Sequence, residues 1–121
     1  MSDPNFVILY VDNPAASAAF YADLLGRPAI EASPTFAMFA LHADVMLGLW
    51  SKHTVEPAAT ITGGGAELAI AVDGQEAVSS LHAQWRAKGM TVIQAPVDLD
   101  FGHTFVALDP DGHRLRVFAP R

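Results

Sequence analysis

Apolar and polar residues follow two different periods along this chain, and the period changes at definite places. Phe6 to Val11 (FVILYV) is a continuous apolar run, which predicts a short strand buried on both faces. The spacing then lengthens. Ala16, Phe20 and Leu24 recur every four residues, Asp12 or Asn13 can cap, Pro14 suits a first helical turn, and Gly26 supplies a stop. A helix of about three turns follows. Three further apolar segments, Ala29 to Ala32, Phe36 to Leu41 and Val45 to Trp50, are separated by Ser33-Pro34 and His42-Ala43-Asp44, which predicts a meander of strands. Residues 51–65, polar and turn-rich with Gly63-Gly64-Gly65 at the end, read as a linker.

The order then begins again. Leu68 to Val72 (LAIAV) predicts a strand, Asp73 followed by Glu76 resembles a capping box, and Val78, Leu81 and Trp85 form one stripe of a second helix that Gly89 ends. Thr91 to Ile93 and the two arms of a hairpin over Phe101 to Phe118 supply three more strands. The hairpin turns at Asp109-Pro110-Asp111-Gly112, where Pro presets one dihedral and Gly tolerates a positive φ. Val11-Asp12 recurs as Val72-Asp73, 61 residues on, and Gly26 recurs as Gly89, 63 residues on. The chain is therefore an internal repeat. Its expected class is α+β, a single domain over 1–121 made of two βαβββ modules, about 5–52 and 66–119. Neither module buries its sheet alone, so the two are expected to pair into a curved, partly open mixed sheet around a cavity.

Composition narrows the function classes. An apolar share of 51% with 17% charged residues excludes disorder, and no apolar run approaches the length of about 20 residues that a membrane helix needs. A formal net charge of −6 with seven scattered Lys and Arg disfavours nucleic acid. The absence of cysteine removes disulfides, thiolate nucleophiles and Cys-ligated zinc. The start Met1-Ser2-Asp3-Pro4 carries no secretory pattern, so a cytoplasmic location is expected.

Leu9 to Gly26 (LYVDNPAASAAFYADLLG) and Phe101 to Val117 (FGHTFVALDPDGHRLRV), within the paired βαβββ order, resemble the vicinal oxygen chelate superfamily of glyoxalases, bleomycin resistance proteins and extradiol dioxygenases. Leu49-Trp50-Ser51, Glu56-Pro57, Glu67-Leu68, Phe101 to Phe105 and Asp109 to His113 are most similar to its metal-free phenazine antibiotic resistance proteins. The resemblance implies a glyoxalase-like fold, a homodimer, and positions where metal-dependent members carry ligands. Those positions fall on Phe6, on Met46 or Gly48, on Glu67 and on Arg116; only Glu67 could coordinate, so neither a metal nor another cofactor is expected.

Glu67 and Arg116 are then expected to point to one centre and pair there. The alternative is that Arg116 faces solvent on a hairpin edge while Glu67 caps a strand start. Trp50, Tyr10, Phe39 and Phe101 are candidate walls for an aromatic ligand, with Phe6 at the vacated ligand position and His103 near the expected cavity mouth; Phe36, Phe20 and Trp85 are assigned to packing. The other histidines show no ligand spacing. The implied function is binding and sequestration of a small planar aromatic compound, of phenazine or bleomycin type, without catalysis. The alternative is a metal-dependent lyase, isomerase or dioxygenase of the same superfamily, with Glu67 as ligand or general base and His103 as acid–base partner. An interaction module without a ligand is the third.

Overall fold

Each sequence repeat folds around its own sheet. The computed structural model describes residues 2–121, and the chain divides into two compact units, the first ending at Thr62 and the second running from Gly63 to Arg121. The first contains β1 (Phe6–Val11), α1 (Pro14–Leu25), β2 (Glu31–Ala32), β3 (Phe36–Ala40) and β4 (Met46–Ser51). The second repeats that order as β5 (Glu67–Ala71), α2 (Gln75–Ala87), β6 (Thr91–Leu99), β7 (Gly102–Leu108) and β8 (Arg114–Pro120). Hydrogen bonds order the strands β1-β4-β3-β2 in one unit and β5-β8-β7-β6 in the other. First and last strands run parallel, and the remaining pairs are antiparallel. A parallel pair needs a long crossover, and the helix of each repeat lies within it.

In α1 the Asn13 side chain accepts from the Ala16 N–H at 3.2 Å, Pro14 opens the first turn, and the Gly26 N–H, at φ 72°, donates to Ala22 O at 2.9 Å. The buried stripe is Pro14, Ser17 and Tyr21, not the expected Ala16, Phe20 and Leu24. Alanines make this helix apolar almost all round, so a four-residue repeat does not mark its inner face. In α2 Val78 and Trp85 are buried as expected, and the Trp85 and His82 rings each stand edge-on to Phe105 at 5.3 Å. The expected capping box does not form: Gly74 is the N-cap, with no side-chain cap bond, which leaves Asp73 one position outside the helix.

Two strands differ from expectation because of their places in the sheets. β1 was expected to be buried on both faces, yet Phe6, Val7 and Ile8 are 50%, 37% and 43% exposed; β1 is a terminal strand in its unit's order. β6 runs on through Pro96 to Leu99. It too is terminal in its sheet, and two register shifts between Val92 and Val97 accommodate the proline, which cannot donate to a ladder.

The linker glycines are not equivalent. A Cβ on Gly63 would lie 2.4 Å from the Gly112 carbonyl carbon and 2.6 Å from the His113 nitrogen, whereas one on Gly65 meets nothing. Gly63→Ala is expected to cost about 1–3 kcal/mol by urea unfolding, through displacement of the turn at Gly112. Gly65→Ala should stay within about 0.5 kcal/mol; equal losses in the two variants would contradict this close approach.

Candidate functional site

Alternation along β8 divides its side chains between two faces. Leu115, Val117 and Ala119 are buried on the side that α2 covers, and Arg114, Arg116 and Phe118 stand on the other. β8 lies between β5 and β7, so Arg116 is not on an edge. Glu67, at the start of β5, shares its face. Arg116 Nε donates to Glu67 Oε2, its Nη2 donates to Oε1 at 3.3 Å, and its Nη1 donates to Thr104 Oγ1 at 3.1 Å. The Thr104 hydroxyl in turn donates to Val117 O at 2.8 Å. The Phe101 ring centroid is 5.5 Å from Arg116 Cζ, and Phe118 meets Phe101 edge-on at 5.8 Å. The Arg116 and Glu67 side chains are 16% and 32% exposed, so the pair is partly desolvated and oriented by bonds on several sides.

Phe101 reaches Arg116 because of the turn that carries it. Leu99 pairs with Gly102, which leaves Asp100 and Phe101 as a two-residue connection between β6 and β7. Arg121 ties that turn to the chain end: its N–H donates to Phe101 O at 3.0 Å, and its guanidinium donates to Asp100 O at 3.0 Å and Leu99 O at 3.2 Å.

In the first unit the face turned away from α1 is aromatic. Tyr10, Trp50 and Phe36 are successive partners across β1, β4 and β3. Trp50 and Phe36 meet edge-on at 6.2 Å, both half-buried. Gly48, between Ile8 and Met38 in register, leaves room for this: a Cβ there would lie 3.0 Å from the Phe36 ring and 3.4 Å from Ile8. Phe6 begins the same face. Near its end, His53 Nε2 lies 2.7 Å from Asp12 Oδ1, and this hydrogen bond, with Lys52 nearby, holds the exposed Asp12 carboxyl below its ordinary pKa.

The internal repeat relates the two faces. Ile8 and Ala69 lie 61 residues apart; Ile8 is the β1 partner of Gly48, and Ala69 is the β5 partner of Arg116. One repeat therefore has no side chain at its central position, and the other has a cation there.

Two expected site residues stand elsewhere. Phe39 is fully buried on the α1 side of β3, opposite Phe36 and Trp50, because odd and even positions of that strand face opposite ways. His103 lies on the α2 side of β7, opposite Thr104 and Arg116, with Nδ1 2.8 Å from Asp98 Oδ1. Phe36, assigned to packing, stands beside Trp50 instead, and Thr104 was not singled out. Phe36 pairs with Trp50, and Thr104 with Phe118, across neighbouring strands, so the register is needed to find either.

A model of the "Glyoxalase/Bleomycin resistance protein/Dioxygenase superfamily" matches residues 4–117. The chain is 32% identical over 117 residues to the phenazine antibiotic resistance protein EhpR of Enterobacter agglomerans, covering 94% of this chain and 89% of that protein. Its fold matches protein ATC0852 of Agrobacterium tumefaciens with a TM-score of 0.92 and 53% identity, over 100% of this chain and 99% of the other. It also matches a glyoxalase/bleomycin resistance protein/dioxygenase family enzyme of Burkholderia phytofirmans PsJN with a TM-score of 0.84 and 26% identity, over 99% and 100%. The repeated βαβββ order, the two sheets and these likenesses agree: the chain belongs to the glyoxalase/bleomycin resistance protein/dioxygenase superfamily.

Proposed function

We propose that this chain binds and sequesters a small planar aromatic compound, of phenazine or bleomycin type, without a resident metal and without covalent chemistry, as a cytoplasmic homodimer. The observation that carries this reading is the engagement of Arg116 by Glu67, Thr104 and Phe101 at a position where metal-dependent relatives hold an ion. Those positions do not fit a metal. Phe6 bears a hydrocarbon ring, Gly48 has no side chain, Arg116 is a permanent cation, and the Glu67 carboxylate is already paired with it. Among the described residues no three His, Asp or Glu side chains group as a metal ion would require.

The rings supply the remaining support. Tyr10, Trp50 and Phe36 offer flat apolar surface on one face, and the likeness to EhpR supplies the ligand class. Trp50→Ala is expected to weaken phenazine binding about tenfold or more in calorimetric titration, since a half-buried ring at a binding face carries a large share of affinity. Tyr21, on the buried face of α1, is the contrast; a conservative Tyr21→Phe change should leave that affinity within about twofold. Stoichiometric zinc, nickel, manganese or iron in the purified protein would overturn the metal-free reading. A soaked crystal with phenazine density away from Trp50 would overturn the proposed wall.

A further inference from the structure

We infer that Arg121 is a positioning residue for ligand binding: its N–H groups hold the β6–β7 turn so that the Phe101 ring stands ready for a bound aromatic. The inference rests on the binding reading above and concerns the second unit alone. Asp100 and Phe101 are both exposed, and Phe101, at 44%, has no core around it to fix its place. Its ring meets Phe118 edge-on at 5.8 Å and lies 5.5 Å from Arg116 Cζ. An exposed connection with so little packing belongs to the least stable part of a fold.

Arg121 supplies the fixing from outside the turn. Its main-chain N–H donates to Phe101 O at 3.0 Å, its Nε to Asp100 O at 3.0 Å and its Nη2 to Leu99 O at 3.2 Å. One residue thus holds three successive carbonyls. The side-chain bonds depend on the guanidinium, because Nε and Nη2 point from one rigid plane and span two neighbouring acceptors, whereas a lysine ammonium is a single point on a flexible stem. Arg121 is exposed, so these bonds compete with water and add little to global stability. Their effect falls on the turn instead. A ring already held where a ligand stacks needs no ordering on binding, and ordering a side chain or loop lowers affinity.

Calorimetric titration of the full chain with phenazine compares the wild type, Arg121→Ala, Arg121→Lys, Phe101→Ala and the Phe101→Ala/Arg121→Ala double variant. Arg121→Ala is expected to weaken binding about threefold to tenfold, while melting within about 3 °C of the wild type. Lysine should restore less than half of that loss, since it keeps the charge without the fork. In the Phe101→Ala background, the second substitution should move affinity by less than about twofold, because the ring through which Arg121 acts is gone. Hydrogen exchange without ligand is the second readout: amides of residues 99–102 should exchange faster in Arg121→Ala, with the rest of β7 and β8 unchanged. An Arg121→Ala affinity equal to that of the wild type, full rescue by lysine, an undiminished loss in the Phe101→Ala background, or unchanged exchange at the turn would each overturn the inference. Failure of the wild type to bind phenazine would overturn the sequestration reading and the effect on affinity with it, while exchange at the turn still decides whether Arg121 holds it.

Discussion

Gly102→Ala is expected to cost about 4 kcal/mol or to abolish folding, although it adds a single methyl group. Gly102 opens β7 opposite Pro120, at φ 151°, and a Cβ built there would lie 2.0 Å from Ala119 O and 2.9 Å from its carbonyl carbon. Such distances admit no rotamer solution, because the colliding atoms are backbone. The end of β8 must then separate from β7, with loss of ladder hydrogen bonds and of the ties from Arg121 to the Asp100-Phe101 turn. Thermal melting reads the effect as a fall of about 15 °C for a chain of this size. Gly89→Ala is the comparison: it also has positive φ but open space around it, and should cost only about 1–2 kcal/mol. Equal losses in the two variants would show that backbone conformation alone, not the approach of Ala119, requires glycine at position 102. The same substitution has a functional reading. The turn presents Phe101 to Arg116, so any surviving Gly102→Ala protein should also lose phenazine affinity.

Asp109→Ala is expected to cost about 3 kcal/mol or more in urea unfolding. The Asp109 side chain is fully buried, and one of its oxygens accepts from the Asp111 N–H at 2.9 Å and the His113 N–H at 2.8 Å. The other oxygen lies 2.8 Å from His113 Nδ1, which donates to it. The main chain of the same residue closes the turn from both sides, accepting from Gly112 N at 3.1 Å and donating to His113 O at 3.0 Å. Alanine leaves two backbone N–H groups and the imidazole without this acceptor, each unmet group costing about 1–3 kcal/mol where water cannot replace it. Asparagine separates the contributions. Its amide oxygen can still serve both backbone donors while its amino group faces the imidazole, so Asp109→Asn should lose well under half of what alanine loses. A loss below about 1 kcal/mol in Asp109→Ala would overturn the view that this carboxylate organises the turn.

These two residues show how sequence reading and folding divide the explanation. Pro110 and Gly112 mark the turn from the sequence through their backbone preferences. Asp109 reads as an ordinary turn residue, and its burial beneath His113 depends on how β7 and β8 meet. His113, one of the histidines without ligand spacing, is buried and bonded locally to Asp109. Glu67 and Arg116 in the second unit, and Tyr10 and Trp50 in the first, were singled out from the sequence, and in each unit they stand on the sheet face turned away from the helix. Phe39 and His103 were misplaced because each lies one residue from the site-facing position of its strand, and a period of two makes that shift a change of face. The inner face of α1 was misread for another reason: where alanine surrounds the helix, hydropathy does not distinguish its stripes, and the buried one is set by how the helix lies on its sheet.

The sequence by itself determined the repeated βαβββ plan, because apolar periodicity, helix stops and the Val-Asp recurrence are local properties that repeat along the chain. It also supplied the candidate chemistry, an acid in Glu67 and a permanent cation in Arg116, singled out through the family resemblance. Only the tertiary structure decided that Glu67 and Arg116 are bonded to each other, that Thr104 and Phe101 complete their setting, and that Phe36 joins Trp50 on an aromatic face. Those facts depend on the register between strands distant in sequence, such as β5 with β8 across 49 residues from Glu67 to Arg116. No local preference encodes that register; it is fixed by burying Phe105, Leu115 and Val117 against α2.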